Sequence, residues 1–180
     1  ESYPAIPLAG TTLDGGTGYN TITGEWLRLY DFDFTNIQHL NFRNSVLISA
    51  EQFSQLTTFS GFGVVYGAFA GTYDMSNKTD LGYTLVNFEG SGENDVIIGH
   101  ARTQTINGND GDDTIYGGDG NDTIVGGNGY DTIYGGEIDD VIDGDVIFGE
   151  GGNDAMYAEG NNIQPIVDNY FDGGEGNDLF

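Results

Sequence analysis

The sequence predicts an all-β chain: a right-handed parallel β-solenoid whose irregular first coils continue into a regular roll of nine-residue repeats. Three observations carry this expectation. Glycine supplies 31 of 180 residues, more than twice the usual share of about 7%. Those glycines recur with a period of nine from Gly90 onward. The chain also carries 37% apolar and 13% aromatic residues beside a net charge of −25, whereas acidic chains that stay disordered are poor in both.

Four consecutive nonapeptides begin at Gly108, Gly117, Gly126 and Gly135. Position 1 is Gly in all four, position 6 is Asp113, Asp122, Asp131 and Asp140, and position 8 is Ile115, Ile124, Ile133 and Ile142. The frame extends upstream through Gly90, with Asp95 and Ile97, and through Gly99, where Gln104 replaces Asp ahead of Ile106. Downstream it slips by five residues at 144–148 and resumes at Gly149 with Asp154 and Met156. A second interruption spans 158–172, and Gly173 opens a copy containing Asp178. An isolated copy lies at 15–23, with Asn20 where Asp is expected. The chain is thus divided at residue 90: 1–89 is an irregular solenoid segment and 90–180 is the roll.

Each repeat alternates two kinds of backbone. Thr114-Ile115-Tyr116 and Thr123-Ile124-Val125 read as short strands that turn one β-branched side chain inward. The preceding Gly, Asn and Asp residues tolerate the left-handed backbone of tight turns. Two nonapeptides then make one coil, and stacked coils form parallel strands around an Ile ladder.

These motifs resemble the RTX family of calcium-binding nonapeptide proteins, closely over about 90–157 and again at 173–180 and 15–23. The resemblance implies a calcium-bound parallel β-roll in a secreted bacterial protein. It also implies ligands. The metal carboxylates would be Asp95, Asp113, Asp122, Asp131, Asp140, Asp154 and Asp178. Carbonyls of repeat positions 1 to 4 would complete the shell: Gly108, Asn109, Asp110 and Gly111; Gly117, Gly118, Asp119 and Gly120; Gly126, Gly127, Asn128 and Gly129; then Gly135 and Gly136.

Electrostatics leads to the same ion. Position-6 carboxylates stacked at a strand spacing of about 4.8 Å repel unless a cation lies between them. A hard ion taking 6–8 oxygens suits carboxylates and unobstructed carbonyls better than magnesium, which demands octahedral geometry. With two repeats per coil, one edge carries Asp95, Asp113 and Asp131, and the other Gln104, Asp122 and Asp140. Good sites are expected between 95 and 113, 113 and 131, and 122 and 140, with a weaker one between 104 and 122. Several ions are expected, converting a disordered polyanion into β structure. An EF-hand-like match at Asp139–Glu150 fails because Val141 stands at a ligand position.

Residues 24–89 differ. Runs such as 34–42 and 62–69 are apolar enough for strands. Ser49-Ala-Glu-Gln52 is a capping box opening a short helix with Phe53 and Leu56 buried. Tyr83–Gly90 enters the repeat frame directly, which argues for one continuous solenoid. Trp26 is expected in the core, His39 at the surface of a strand and His100 in a loop.

Composition and motifs narrow the function. Four Lys and Arg against 29 Asp and Glu oppose nucleic acid as a partner. No stretch approaches the roughly 18 apolar residues of a membrane span. Without Cys there is no disulfide or thiolate metal site. Neither a His-Glu-x-x-His motif nor a Gly-x-Ser-x-Gly elbow is present, and the repeat accounts for most of the paired carboxylates a glycosidase would need. The expectation is a non-enzymatic calcium protein, secreted or at the bacterial cell surface. Its role would be structural or adhesive (surface layer, matrix or adhesin segment), with self-assembly through solenoid ends and a cell-surface glycan as the partner surfaces considered. The alternative is the C-terminal folding and secretion module of a larger type I secreted lipase, protease or epimerase. Glu1 is not an initiator Met, in keeping with a processed chain or fragment.

Overall fold

A computed structural model describes residues 11–14, 17–18, 20–30, 32–61, 63–80, 86–120, 122–136, 146–151, 155–157 and 170–180. In chain order the strands of the first half are β1 (Thr11–Asp14), β2 (Thr21–Arg28), β3 (Phe32–Thr35), β4 (His39–Ile48), β5 (Thr58–Gly61), β6 (Gly63–Gly67), β7 (Thr72–Asp74), β8 (Thr79–Asp80) and β9 (Val86–Glu89), with α1 (Ala50–Gln55) between β4 and β5. Those of the roll are β10 (Val96–Ile98), β11 (Thr105–Asp110), β12 (Thr114–Tyr116), β13 (Thr123–Asn128), β14 (Thr132–Tyr134), β15 (Val146–Gly151), β16 (Ala155–Tyr157) and β17 (Tyr170–Asp172).

Paired strands are parallel, and the chain winds into a β-solenoid of about six turns. One wall is the sheet β7-β10-β12-β14-β16 and the other runs β8-β5-β4-β6-β9-β11-β13-β15-β17, with β2 also on β4. The second sheet crosses residue 90 without a break, because β9 pairs with β6 on one side and β11 on the other.

Within the roll the register is the nonapeptide doubled. Ile97 lies on Ile115 and Ile115 on Ile133, while Ile106 lies on Ile124. All five side chains are fully buried, and each contributes about 1.5–3 kcal/mol of apolar burial. The ladders continue backward into aromatic rings, Tyr73 beneath Ile97 and Phe88 beneath Ile106. Position 9 points outward: Tyr116 stacks on Tyr134 with ring centroids 4.8 Å apart and 4° between planes.

The first-half coils are filled by larger groups. Phe53, Tyr73 and Phe88 pack ring against ring, with Phe42, Phe59 and Val65 also buried. The capping box closes α1 through Ser49 and Gln52, and Phe53 and Leu56 are buried. The apolar run 34–42 is split, because Asn36 takes a left-handed φ of 57° between β3 and β4.

Four expectations need correction. Trp26 is 65% exposed rather than in the core; it sits on the outward side of β2, and its indole N–H lies within reach of the Asn44 side chain. His39 is buried, not at the surface: its ring lies between the hydroxyls of Thr58 (2.6 Å) and Ser60 (3.0 Å) on β5. Burial lowers its pKa. The five-residue interruption comes earlier than 144–148. The ladder partner of Ile124 is Ile147, not Ile142. The sequence spells Asp-Val-Ile twice, at 140–142 and 145–147, and the strand uses the copy followed by Phe148, a better strand former than Asp143. Finally, the interruption at 158–172 ends in a rung of the roll, since β17 places Phe171 on Ile147.

Candidate calcium edges

The turns that carry position 6 are shaped by glycine at two places. Gly127 and Gly129, at positions 2 and 4, have φ of 108° and 145°, and a Cβ on either would collide with the carbonyl of Asn109 or Gly111 one coil below. Coils therefore stack backbone on backbone, with carbonyl oxygens brought into the gap between rungs.

Position 6 is stitched along each edge. The Asp95 N–H donates to Asp113 Oδ1 at 2.8 Å, the Asp113 N–H to Asp131 Oδ1 at 2.8 Å, and the Gln104 N–H to Asp122 Oδ1 at 3.0 Å. The carboxylates of Asp95, Asp113, Asp122 and Asp131 are all but fully buried. With Oδ1 so held, Oδ2 is aimed into the gap over the position-1 glycine of its own turn. A Cβ on Gly108 would meet both Asp113 Oδ2 and the carbonyl oxygen of Gly126 from the next coil; one on Gly117 would meet Asp122 Oδ2 and the carbonyl oxygen of Gly135.

The Oδ2 atoms of Asp113, Asp122 and Asp131 are buried and take no hydrogen bond. Such an atom in a protein interior costs about 1–3 kcal/mol or more when charged. Burial pushes Asp113 up to about 6, with the carboxylates of Asp95 and Asp112 adding repulsion against the favourable Asp95 N–H. A buried acceptor facing another acceptor fits a cation. Among the described residues no three His, Cys, Asp or Glu side chains converge. An ion here would therefore take one carboxylate and several carbonyls, the all-oxygen set that calcium favours.

Two upstream edges differ. Asp95 Oδ2 accepts the Ser91 N–H at 2.6 Å and the Ser91 hydroxyl at 2.9 Å, and its Oδ1 accepts the Gly71 N–H at 2.8 Å. Gln104 Nε2 donates to the carbonyls of His100 at 3.0 Å and Gly117 at 2.8 Å. The sequence shows Gln104 as a missing charge; the amide's partners, and the part played by Ser91, become visible only when the turn is built.

Other expected ligands are scattered over the turns. Asp178 is half-buried beside Gly173. Asp110, Asp119 and Asn128 expose their side chains, so any part they take is through their carbonyls. Asn109, at a left-handed φ of 76°, donates from its side chain to the Gly90 carbonyl. Asp140 and Asp154 lie outside the described residues. A position-5 column went unread in the sequence: Asn94 Oδ1 accepts the Asp112 N–H and Asp112 Oδ1 the Tyr130 N–H.

Fold and edges define a parallel β-roll whose turns bring buried carboxylate and carbonyl oxygens together. The repeats are of the RTX family: the model of the RTX calcium-binding nonapeptide repeat matches four times, at residues 10–26, 100–133, 116–145 and 134–162. Neither the curated proteins nor the solved structures contain a match to this chain. No helix among the described residues is long and apolar enough to cross a membrane.

Proposed function

We propose that this chain is an extracellular structural or adhesive protein, a surface-layer, matrix or adhesin segment, that completes its fold when calcium fills the edges after export. The observation that carries the calcium step is the buried Oδ2 of Asp113 facing the Gly126 carbonyl across a gap with no donor. Extracellular calcium modules bind at about 10⁻⁴–10⁻³ M, so such edges stay empty in a cytosol and fill outside. A scaffold role is supported by the interior, where one buried Ile per rung occupies the space between the two walls. The reading makes the chain a support, not a catalyst.

The test is calcium titration followed by circular dichroism, with labelling of intact cells by an antibody to the roll. Expected are a rise in β signal, its reversal by chelator, and surface labelling that chelator removes. A spectrum indifferent to calcium would overturn the calcium step. A lipase, protease or epimerase domain in the same gene product would instead make this the folding and secretion module of an exported enzyme.

A further inference from the structure

We propose that Gln104 stands in for a calcium ion, so that the first coil of the roll closes without metal and templates the calcium-dependent coils beyond it. The proposal rests on the calcium reading of the edges.

At an ordinary edge, the space over the position-1 glycine is met by two acceptors, as Asp113 Oδ2 and the Gly126 carbonyl meet over Gly108. A cation reconciles them. One coil back on the opposite edge, the equivalent space over Gly99 is met by Gln104 Nε2 and the Gly117 carbonyl. Here a donor faces the acceptor. The two amide protons go to Gly117 at 2.8 Å and His100 at 3.0 Å. Both carbonyls are satisfied by a neutral group, and the nitrogen occupies the place where an ion would bridge them. Charge and space both exclude calcium from this edge.

The other edge of the same coil brings Asp95 Oδ2 and the Gly108 carbonyl together over Gly90 as an ordinary edge does, but its carboxylate has donors of its own. Ser91 gives Asp95 Oδ2 two hydrogen bonds and Gly71 gives Oδ1 a third. This carboxylate is thus supplied with donors, unlike Asp113 Oδ2 one coil on. The coil also rests on an apolar base that needs no ion: Tyr73 beneath Ile97 and Phe88 beneath Ile106, their centroids 5.0 Å apart. Metal dependence is therefore greatest from Asp113 onward, and the expected site between 95 and 113 is held by hydrogen bonds before any ion enters.

Hydrogen exchange read by mass spectrometry on the wild-type chain in chelator tests this. Peptides covering 86–107 should stay protected, while those covering 114–136 exchange freely and gain protection with calcium. Equally fast exchange of both overturns the proposal. Gln104→Asp restores the ordinary edge, so equilibrium dialysis should find one more calcium per chain than wild type, with protection of 99–107 now calcium-dependent. An unchanged ion count in a variant that folds with calcium overturns the proposal. Should that variant not fold, Gln104→Ala decides: wild-type ion count with protection in chelator lost supports the stand-in, and protection retained refutes it. A wild-type chain that binds no calcium sinks the calcium reading itself, a result distinct from all of these.

Discussion

Asp131 Oδ1 accepts the backbone N–H of Asp113 at 2.8 Å, so each carboxylate on this edge is oriented by the coil behind it and offers its second oxygen to the coil ahead. One residue thus fixes register and supplies a ligand. Asp113→Ala removes both. Loss of a charged partner is worth about 1.5–3 kcal/mol, so the calcium midpoint of β formation should rise about tenfold to a hundredfold. Asp113→Asn keeps Oδ1 and puts an amide where Oδ2 points toward the Gly126 carbonyl. It should bind one ion fewer yet hold more β structure in chelator than Asp113→Ala. Calcium-titrated circular dichroism separates the two.

The metal-free roll should respond to pH. Burial raises Asp113 to about 6 in the folded chain, from an ordinary carboxylate value of 3.8. A raised folded pKa means that the folded state binds the proton more tightly than the unfolded one. Its stabilising contribution is full below about 4 and is lost as pH climbs through about 6. In chelator, stability should therefore fall between pH 4 and pH 7. With saturating calcium the dependence should reverse, because protons compete for the ligand. The β signal in chelator and the urea midpoint in calcium, each read at several pH values, check both slopes.

Core and surface positions of one strand should separate cleanly. Ile115 is fully buried between Ile97 and Ile133, and Ile115→Ala should cost about 2–5 kcal/mol. Its neighbour Tyr116 is 40% exposed and stacked on Tyr134. Tyr116→Ala should cost about 0.5–1.5 kcal/mol from the lost ring pair. Denaturant unfolding in saturating calcium measures each.

Glycines in the same repeats are not equivalent. Gly129 holds φ 145° with its missing Cβ directed at the Gly111 carbonyl. Gly129→Ala should prise the coils apart and lower stability by more than about 1 kcal/mol. Gly92 has open space around its missing Cβ, and Gly92→Ala should fall within about 0.5 kcal/mol of wild type. A Gly92 variant as damaging as the Gly129 one would refute this account of the turns.

The register of the roll was legible because two columns, Gly at position 1 and Ile at position 8, repeat every nine residues, and a ladder of identical side chains admits few other pairings. The same count places Asp95, Asp113 and Asp131 on one edge and Gln104 and Asp122 on the other, but it carries Asp140 onto the second edge in a register that Ile147 does not share. The first half offered no such period: Leu40 pairs with Phe59, Val65 with Phe88 and Tyr73 with Ile97, at spacings that differ from coil to coil. Only the capping box, a local signal, could be placed there. His39 and Trp26 were misplaced because burial on an irregular coil depends on which strand lies alongside. Of the twin Asp-Val-Ile copies the unbroken count selects the first as the rung, which misplaces the interruption, and the amide of Gln104 could not be paired until the carbonyls of His100 and Gly117 had positions.

Lys78 gives the first-half coils a stability that owes nothing to calcium. Its ammonium is buried, donates to the Leu56 carbonyl at the end of α1 at 2.8 Å, and lies 4.7 Å from the centre of the Phe53 ring. Burial lowers its pKa while Asp74 opposes the shift. Lys78→Ala strands the Leu56 carbonyl, at about 1–3 kcal/mol, and removes the ammonium lying over the Phe53 ring. The loss should be the same in calcium and in chelator, because Phe53 abuts Tyr73 and Phe88 rather than an edge. Unfolding followed by Trp26 fluorescence in both conditions reads it. A loss confined to chelator would mean that the ion-bearing coils carry the first half, the opposite of the order argued from Gln104.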